Sequence, residues 1–272
     1  MSERSEERST EEPLEAEFST GQALYFLGMF GGVLCFVIGI LLGLISVGAF
    51  EPFGLFKDLS LVVKIWWAIL GIFLLGFGFF LFFRGIKVRG LRVRVFPSFM
   101  AIVQGEKTEV VPWSNLVGLS FLGDLTIRTE TDMVFINVTG GITKSGLPGD
   151  RAFVLYLNNG EYKRFDDWLK NFNDLGKLVQ EKMLRINWPE LQIMYEKGHM
   201  FDFGPLKVTR LQITSKDEGI LWNKAEIALS KNKLAIYHSG GSKPWHVLEV
   251  GEIVNLHIFL NLARRFHGID FS

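Results

Sequence analysis

The 272-residue chain is 48% hydrophobic and 14% aromatic, with 25 Phe and a mean hydropathy of +0.24, which excludes a disordered chain of low hydrophobicity and high net charge. Its 29 basic and 29 acidic side chains cancel, so there is no whole-chain basic field for nucleic acid. A single cysteine excludes an intrachain disulfide and any multi-cysteine zinc or iron–sulfur site.

Residues 1–21 hold seven Glu against only Arg4 and Arg8, and this composition predicts an acidic disordered tail. No charged side chain occurs from Gln22 to Phe50. As a helix that run is about 40 Å long, more than the ~30 Å of a hydrocarbon core. A second uncharged run covers Ile65 to Phe83, with Lys64 at its start and Trp66 and Trp67 following, the pattern of a snorkelling cation and an aromatic interface belt. Residues 22–86 therefore read as a transmembrane hairpin, with spans of about 22–47 and 62–84. An acidic flank and a long apolar run argue against a cleaved signal peptide. Glu51-Pro52-Phe53-Gly54 reads as the turn of a short external loop.

Arg84, Lys87, Arg89, Arg92 and Arg94 follow the second run with no acid between them. The positive-inside rule puts this side in the cytoplasm, and two spans return the N-terminus there too. The expected location is a cell membrane, crossed twice. Gly28, Gly32, Gly39 and Gly43 share a helix face with Cys35. That face allows close packing, either against the second span or against another copy. Neither span has an ionisable group near its centre, which speaks against a proton or ion pathway.

Beyond residue 90 the period becomes that of strands. Leu91-Arg92-Val93-Arg94-Val95 alternates. Strands are expected at 99–103, 108–111, 116–121, 125–128, 134–138, 152–157 and 162–165. An amphipathic helix at 167–185 follows, capped by Asp166 or Asp167 and ended near Trp188-Pro189. The plan then repeats, with strands at 199–203, 207–209, 211–214, 219–222, 226–230, 233–238 and 243–247. A last helix is expected at 254–266. Both halves enter a strand through the same local sequence: Val111-Pro112-Trp113-Ser114-Asn115 and Ile220-Leu221-Trp222-Asn223-Lys224.

Strands closed by one helix, twice over and behind two spans, make an α+β chain. With Met200-Phe201-Asp202-Phe203-Gly204-Pro205-Leu206-Lys207-Val208, this order resembles uncharacterised bacterial two-pass membrane proteins with tandem pleckstrin-homology-like domains. The resemblance covers roughly residues 20–270. It implies two small β-barrels, each closed by a C-terminal helix, at 88–188 and 190–272. It implies no ligand.

Motifs with possible chemistry are weak. Lys87, Arg89, Arg92 and Arg94 resemble the basic cluster of phosphoinositide-binding members, although the positive-inside rule alone requires them. Lys231 and Lys233 share a strand face, which reads first as solvated. Gly140-Gly141 before Lys144-Ser145 misses the Walker spacing. His199, His238, His246, His257 and His267 lack metal-ligand spacing. Asp166-Asp167 reads as a helix start, Trp113 and Trp222 as core, and Cys35 as packing. The expected protein is no enzyme and needs no metal or cofactor. It is a membrane-anchored scaffold or lipid-proximal binding protein, or an accessory subunit of a larger membrane complex. Its expected partners are the lipid bilayer, anionic lipid head groups, other proteins or its own copies, and not nucleic acid.

Overall fold

The computed structural model describes residues 12–20, 22–47, 60–88, 90–130, 132–140 and 151–271. Contacts divide the chain into a helical unit, residues 19–92 with 103–108, and a strand-rich unit formed by the rest. The expected loop turn at 51–54 and Lys144-Ser145 lie outside the described residues.

The helical unit holds α1 (Gln22–Ser46) and α2 (Leu61–Val88). Each contains a stretch long and apolar enough to cross a membrane, Met29–Ser46 and Leu61–Phe80. Large apolar side chains such as Phe30, Trp66 and Phe73 point outward. The helices meet where neither has a side chain. A Cβ placed on Gly32 would come within 2.9 Å of the Gly78 carbonyl oxygen, and one on Gly39 within 2.9 Å of that of Gly71. The reverse contacts are as tight: 2.7 Å from Gly78 to the Gly32 oxygen and 3.0 Å from Gly71 to the Gly39 oxygen. These pairs fix an antiparallel register by close backbone approach.

The strand-rich part opens with a four-stranded sheet in the order β1 (Ala16–Ser19), β2 (Leu91–Val95), β3 (Phe99–Gln104), β4 (Lys107–Pro112). The strand at 16–19 corrects the expectation of a disordered tail over residues 1–21. Alternation places Phe18 inward and buries it, enough to seat a short strand in an acidic context. Residues 1–11 lie outside the described residues.

A single 3-10 turn at Trp113–Asn115 leads into β5 (Leu116–Leu122), β6 (Asp124–Glu130), β7 (Met133–Gly140), β8 (Ala152–Leu157) and β9 (Tyr162–Asp166). These form a three-stranded sheet, β5-β8-β9, and a separate β6-β7 hairpin. Helix α3 (Phe172–Glu196) follows. Next come β10 (Phe201–Asp202), β11 (Lys207–Val208), β12 (Gln212–Ser215) and β13 (Glu218–Leu221) in one sheet. Then β14 (Ala225–Ser230), β15 (Lys233–His238) and β16 (Pro244–Glu249) form another, and α4 (Leu256–His267) ends the order. Among the described residues the strands make five open sheets, none closed on itself.

Two local expectations are corrected. Helix α3 does not stop at Trp188-Pro189 but runs on to Glu196. An interior proline costs about 3 kcal/mol or more. Here Pro189 and Arg185, whose carbonyl loses its partner, are both exposed to water, while Trp188 and Tyr195 on either side of the proline are buried. Nor do Asp166 and Asp167 cap α3. Its N-cap is Asn171 at φ 57°, and the two aspartates accept from Arg164 at 2.7 Å and Arg151 at 2.8 Å.

The sequence repeat around Trp113 and Trp222, one in each half or copy, is matched in hydrogen bonds. Trp113 donates from its backbone N–H to Ser98 O and from Nε1 to Phe96 O, at 3.1 and 2.9 Å. Trp222 donates in the same way to Leu211 O and Thr209 O, at 3.2 and 2.8 Å. Both terminal helices start from an Asn in the left-handed region, Asn171 and Asn255. Helices α3 and α4 both reach β7. Its outer edge is capped by side-chain amides that imitate a neighbouring strand. Gln180 on α3 accepts from Ile136 N–H and donates to Ile136 O, each at 2.9 Å. Asn261 on α4 does the same with Val134, again at 2.9 Å each way. Both amides are buried, so β7 is left with no bare edge at these positions.

Candidate functional site

The five residues of the basic run are divided among elements. Arg84 and Lys87 lie on α2, and Arg89 lies outside the described residues. Arg92 and Arg94 lie on β2, whose pleat sends Val93 and Val95 into the core and both arginines outward. Arg94 does not face open solvent alone. Its Nε donates to Glu17 of β1 at 3.1 Å.

That contact is one of three by which the N-terminal acids are held. The Glu12 carboxylate accepts from the backbone N–H and hydroxyl of Ser98, at 3.1 and 2.6 Å. Glu15 accepts from Lys182 Nζ with both carboxylate oxygens, at 2.8 and 2.6 Å. The Lys182 side chain is only 10% exposed, so Glu15 supplies the charge and hydrogen bonds that a buried ammonium requires. Backbone bonds run alongside: Glu15 N–H to Val95 O at 2.9 Å and Thr20 N–H to Leu91 O at 3.1 Å. Sequence reasoning missed Glu12, Glu15, Glu17 and Lys182. The available signal was the alternation in Ala16-Glu17-Phe18-Ser19; for Lys182 on α3 there was none.

Within the helical unit, Gly32 and Gly39 form the contacts described above. Gly28 lies on α1, and a Cβ on Gly43 would meet open space. Cys35 packs beside Gly78. An open apolar groove of about 300 Å³ is lined by Gly32, Val33, Phe36, Gly78, Phe79 and Phe82, among others.

Trp113 and Trp222 are buried. Trp222 stacks on His267 at 4.2 Å, and His267 Nε2 lies 2.6 Å from the Tyr195 hydroxyl. Burial, helped by the charge of Arg210, pushes His267 down to about 4. His257 on α4 is fully buried, and neither ring nitrogen has a hydrogen-bond partner among the described residues. Burial pushes it down to about 3. Lys233 lies 3.5 Å from Glu249, and Lys231 is exposed. Among the described residues no three His, Cys, Asp or Glu side chains converge as a metal-ligand set.

Residues 129–267 match a family described as "Family of unknown function (DUF6585)", and the chain belongs to it. The match starts near the end of β6 and runs to the last residue of α4, leaving both long apolar helices outside. No curated protein matches the chain.

Proposed function

We propose that this protein is a two-pass membrane anchor presenting two pleckstrin-homology-like units on the cytoplasmic face, where it acts as a non-enzymatic scaffold or lipid-proximal binding module. The observation that carries this reading is connectivity. The second copy joins β10 to β11 through residues 203–206, while the first copy joins β1 to β2 through residues 20–90, which contain α1 and α2. The anchor is therefore a loop of the first copy and not a leader ahead of it. Two helices with long uncharged stretches, paired at glycines, suit a bilayer, where each helix satisfies its own backbone. The five cations from Arg84 to Arg94, at and beyond the end of α2, favour the inner leaflet by sequence position, and each cation near an anionic surface is worth about 1 kcal/mol.

The test has two arms. With Cys35 replaced, single cysteines at Gly54→Cys and Asn159→Cys are labelled in intact cells. Position 54 should react and position 159 should not; the reverse overturns the orientation. The full-length protein is then purified in detergent, and its bound lipids and proteins are identified. Enrichment of anionic over neutral lipid supports the lipid-proximal role. A stoichiometric membrane-protein partner would instead make the chain an accessory subunit of a larger complex.

A further inference from the structure

We propose that the edge of β2 covered by β1, flanked by Ser98, Lys182 and Arg94, is a docking site for acidic peptides in extended conformation, and that residues 12–19 occupy it as an internal ligand. Among the described residues β1 is the outermost strand of its sheet, with β2 as its one neighbour. It attaches as peptides attach in strand addition, by main-chain bonds along the edge and side-chain contacts at set positions. Three carboxylates, at 12, 15 and 17, each meet a separate donor group, and Phe18 supplies the buried apolar contact.

The pattern selects its occupant. Lys182 keeps only a tenth of its side chain in water, so an edge vacated by β1 leaves an ammonium short of partners and favours a carboxylate at that place. Arg94 asks for a second carboxylate, and Ser98 for an acceptor with room for two donors. A neutral or basic segment brings no negative charge to Lys182 or Arg94. The attachment is also releasable by its chemistry. The Arg94–Glu17 pair is partly exposed, with 43% and 34% of the side chains in solvent, and pairs in contact with water add little and weaken with salt. Only one side chain of β1, Phe18, is fully inside. The advantage of the internal segment is proximity, an effective concentration that an external peptide must match. This inference rests on the sheet edge and does not depend on the membrane reading.

The experiment uses full-length protein in neutral detergent and a fluorescent synthetic peptide of residues 11–20. In a chain carrying Glu12→Gln, Glu15→Gln and Glu17→Gln, the internal segment is weakened. The acidic peptide should then bind at least tenfold more tightly than to the wild type, and high salt should weaken that binding. A peptide with the same three Gln substitutions, or one with its residues scrambled, should bind at least tenfold more weakly. Adding Lys182→Gln to the triple variant should remove binding. Equal binding of the acidic and scrambled peptides, or no binding of either, overturns the proposal. Wild-type hydrogen exchange gives a readout that needs no variant. Amides of residues 15–20 should exchange faster in high salt and on addition of peptide, while those of β3 and β4 stay unchanged. If the 15–20 amides are as slow as the rest and indifferent to both, β1 is a fixed strand and the proposal fails.

Discussion

In the second copy, β10 and β11 are joined by residues 203–206, and β14 and β15 by Lys231 and Asn232. In the first copy the corresponding turns contain residues 20–90 and 123–151, one carrying α1 and α2 and the other the β6-β7 hairpin. The frames around these turns keep the same tryptophan bonds and the same asparagine helix starts. What matters at a turn is how closely its ends meet, because closure cost rises only slowly with loop length. At Thr20 and Leu91 the ends are one hydrogen bond apart, 3.1 Å, so the frame tolerates what is placed between them.

The sharpest way to break this comparison is to cut the first copy in two different places. Removing residues 1–88 takes away β1 and uncovers Lys182 and the β2 edge. We expect that chain to aggregate. Replacing residues 21–90 by a two- to four-residue glycine-containing turn keeps β1 beside β2. We expect a soluble chain with one cooperative urea transition. If both chains fold equally well, β1 is dispensable and the two copies are not built alike.

A smaller effect tests whether the copies are independent. Asn261→Leu removes the amide from α4 and leaves the buried N–H and C=O of Val134 unpaired. At about 1–3 kcal/mol for each unsatisfied group, the loss is about 2–6 kcal/mol, read from the urea midpoint in detergent. Gln180→Leu should cost a similar amount through Ile136. Because Asn261 belongs to the second copy and Val134 to the first, Asn261→Leu should lower the unfolding of both copies together. Separate transitions, with only the second one shifted, would show two autonomous domains.

How far this was legible depended on whether a residue's own type announced its place. The strands at Ala152–Leu157 and Lys233–His238 were readable to the residue, because a continuous apolar run in the first and an alternating one in the second end in strong turn sequences. The two long apolar helices were legible to within a few residues, and Gly32 and Gly39 were picked out, although their partners Gly71 and Gly78 went unnoticed and Gly43 makes no such contact. Strand β1 was hidden because the surrounding glutamates outweighed a four-residue alternation. The end of α3 was hidden because Pro189 is a usual stop. Gln180, Asn261 and Lys182 were beyond reach: a polar residue on an amphipathic helix reads as a solvent face until a strand edge or a carboxylate meets it.

The smallest effect separates the copies by acid. All five histidines lie at residue 199 or beyond. His257 is pushed down to about 3 and His267 to about 4, below the usual 6.5 of an exposed imidazole. The unfolded chain therefore binds protons between about pH 6.5 and these values that the folded chain refuses. Stability from this source is complete above pH 6.5 and is lost as pH falls, by at most about 1.4 kcal/mol per pH unit for each histidine. Urea midpoints at pH 7 and pH 5 should differ less in a His257→Leu variant than in the wild type. An unchanged difference would show that carboxylates alone set the acid sensitivity.

The split between β1 and β2 also orders events during synthesis. Translation adds about 5–20 residues per second, so roughly 4–15 s pass between the appearance of β1 and the completion of β2 at Val95. In that interval the ribosome must deliver both apolar helices, and β1 has no strand to join. Strand β10 waits only for residues 203–206 before β11 follows. The first sheet of this protein is thus sealed only after its hairpin has been made, while the second can close as soon as it emerges, and β1 waits unpaired through the interval.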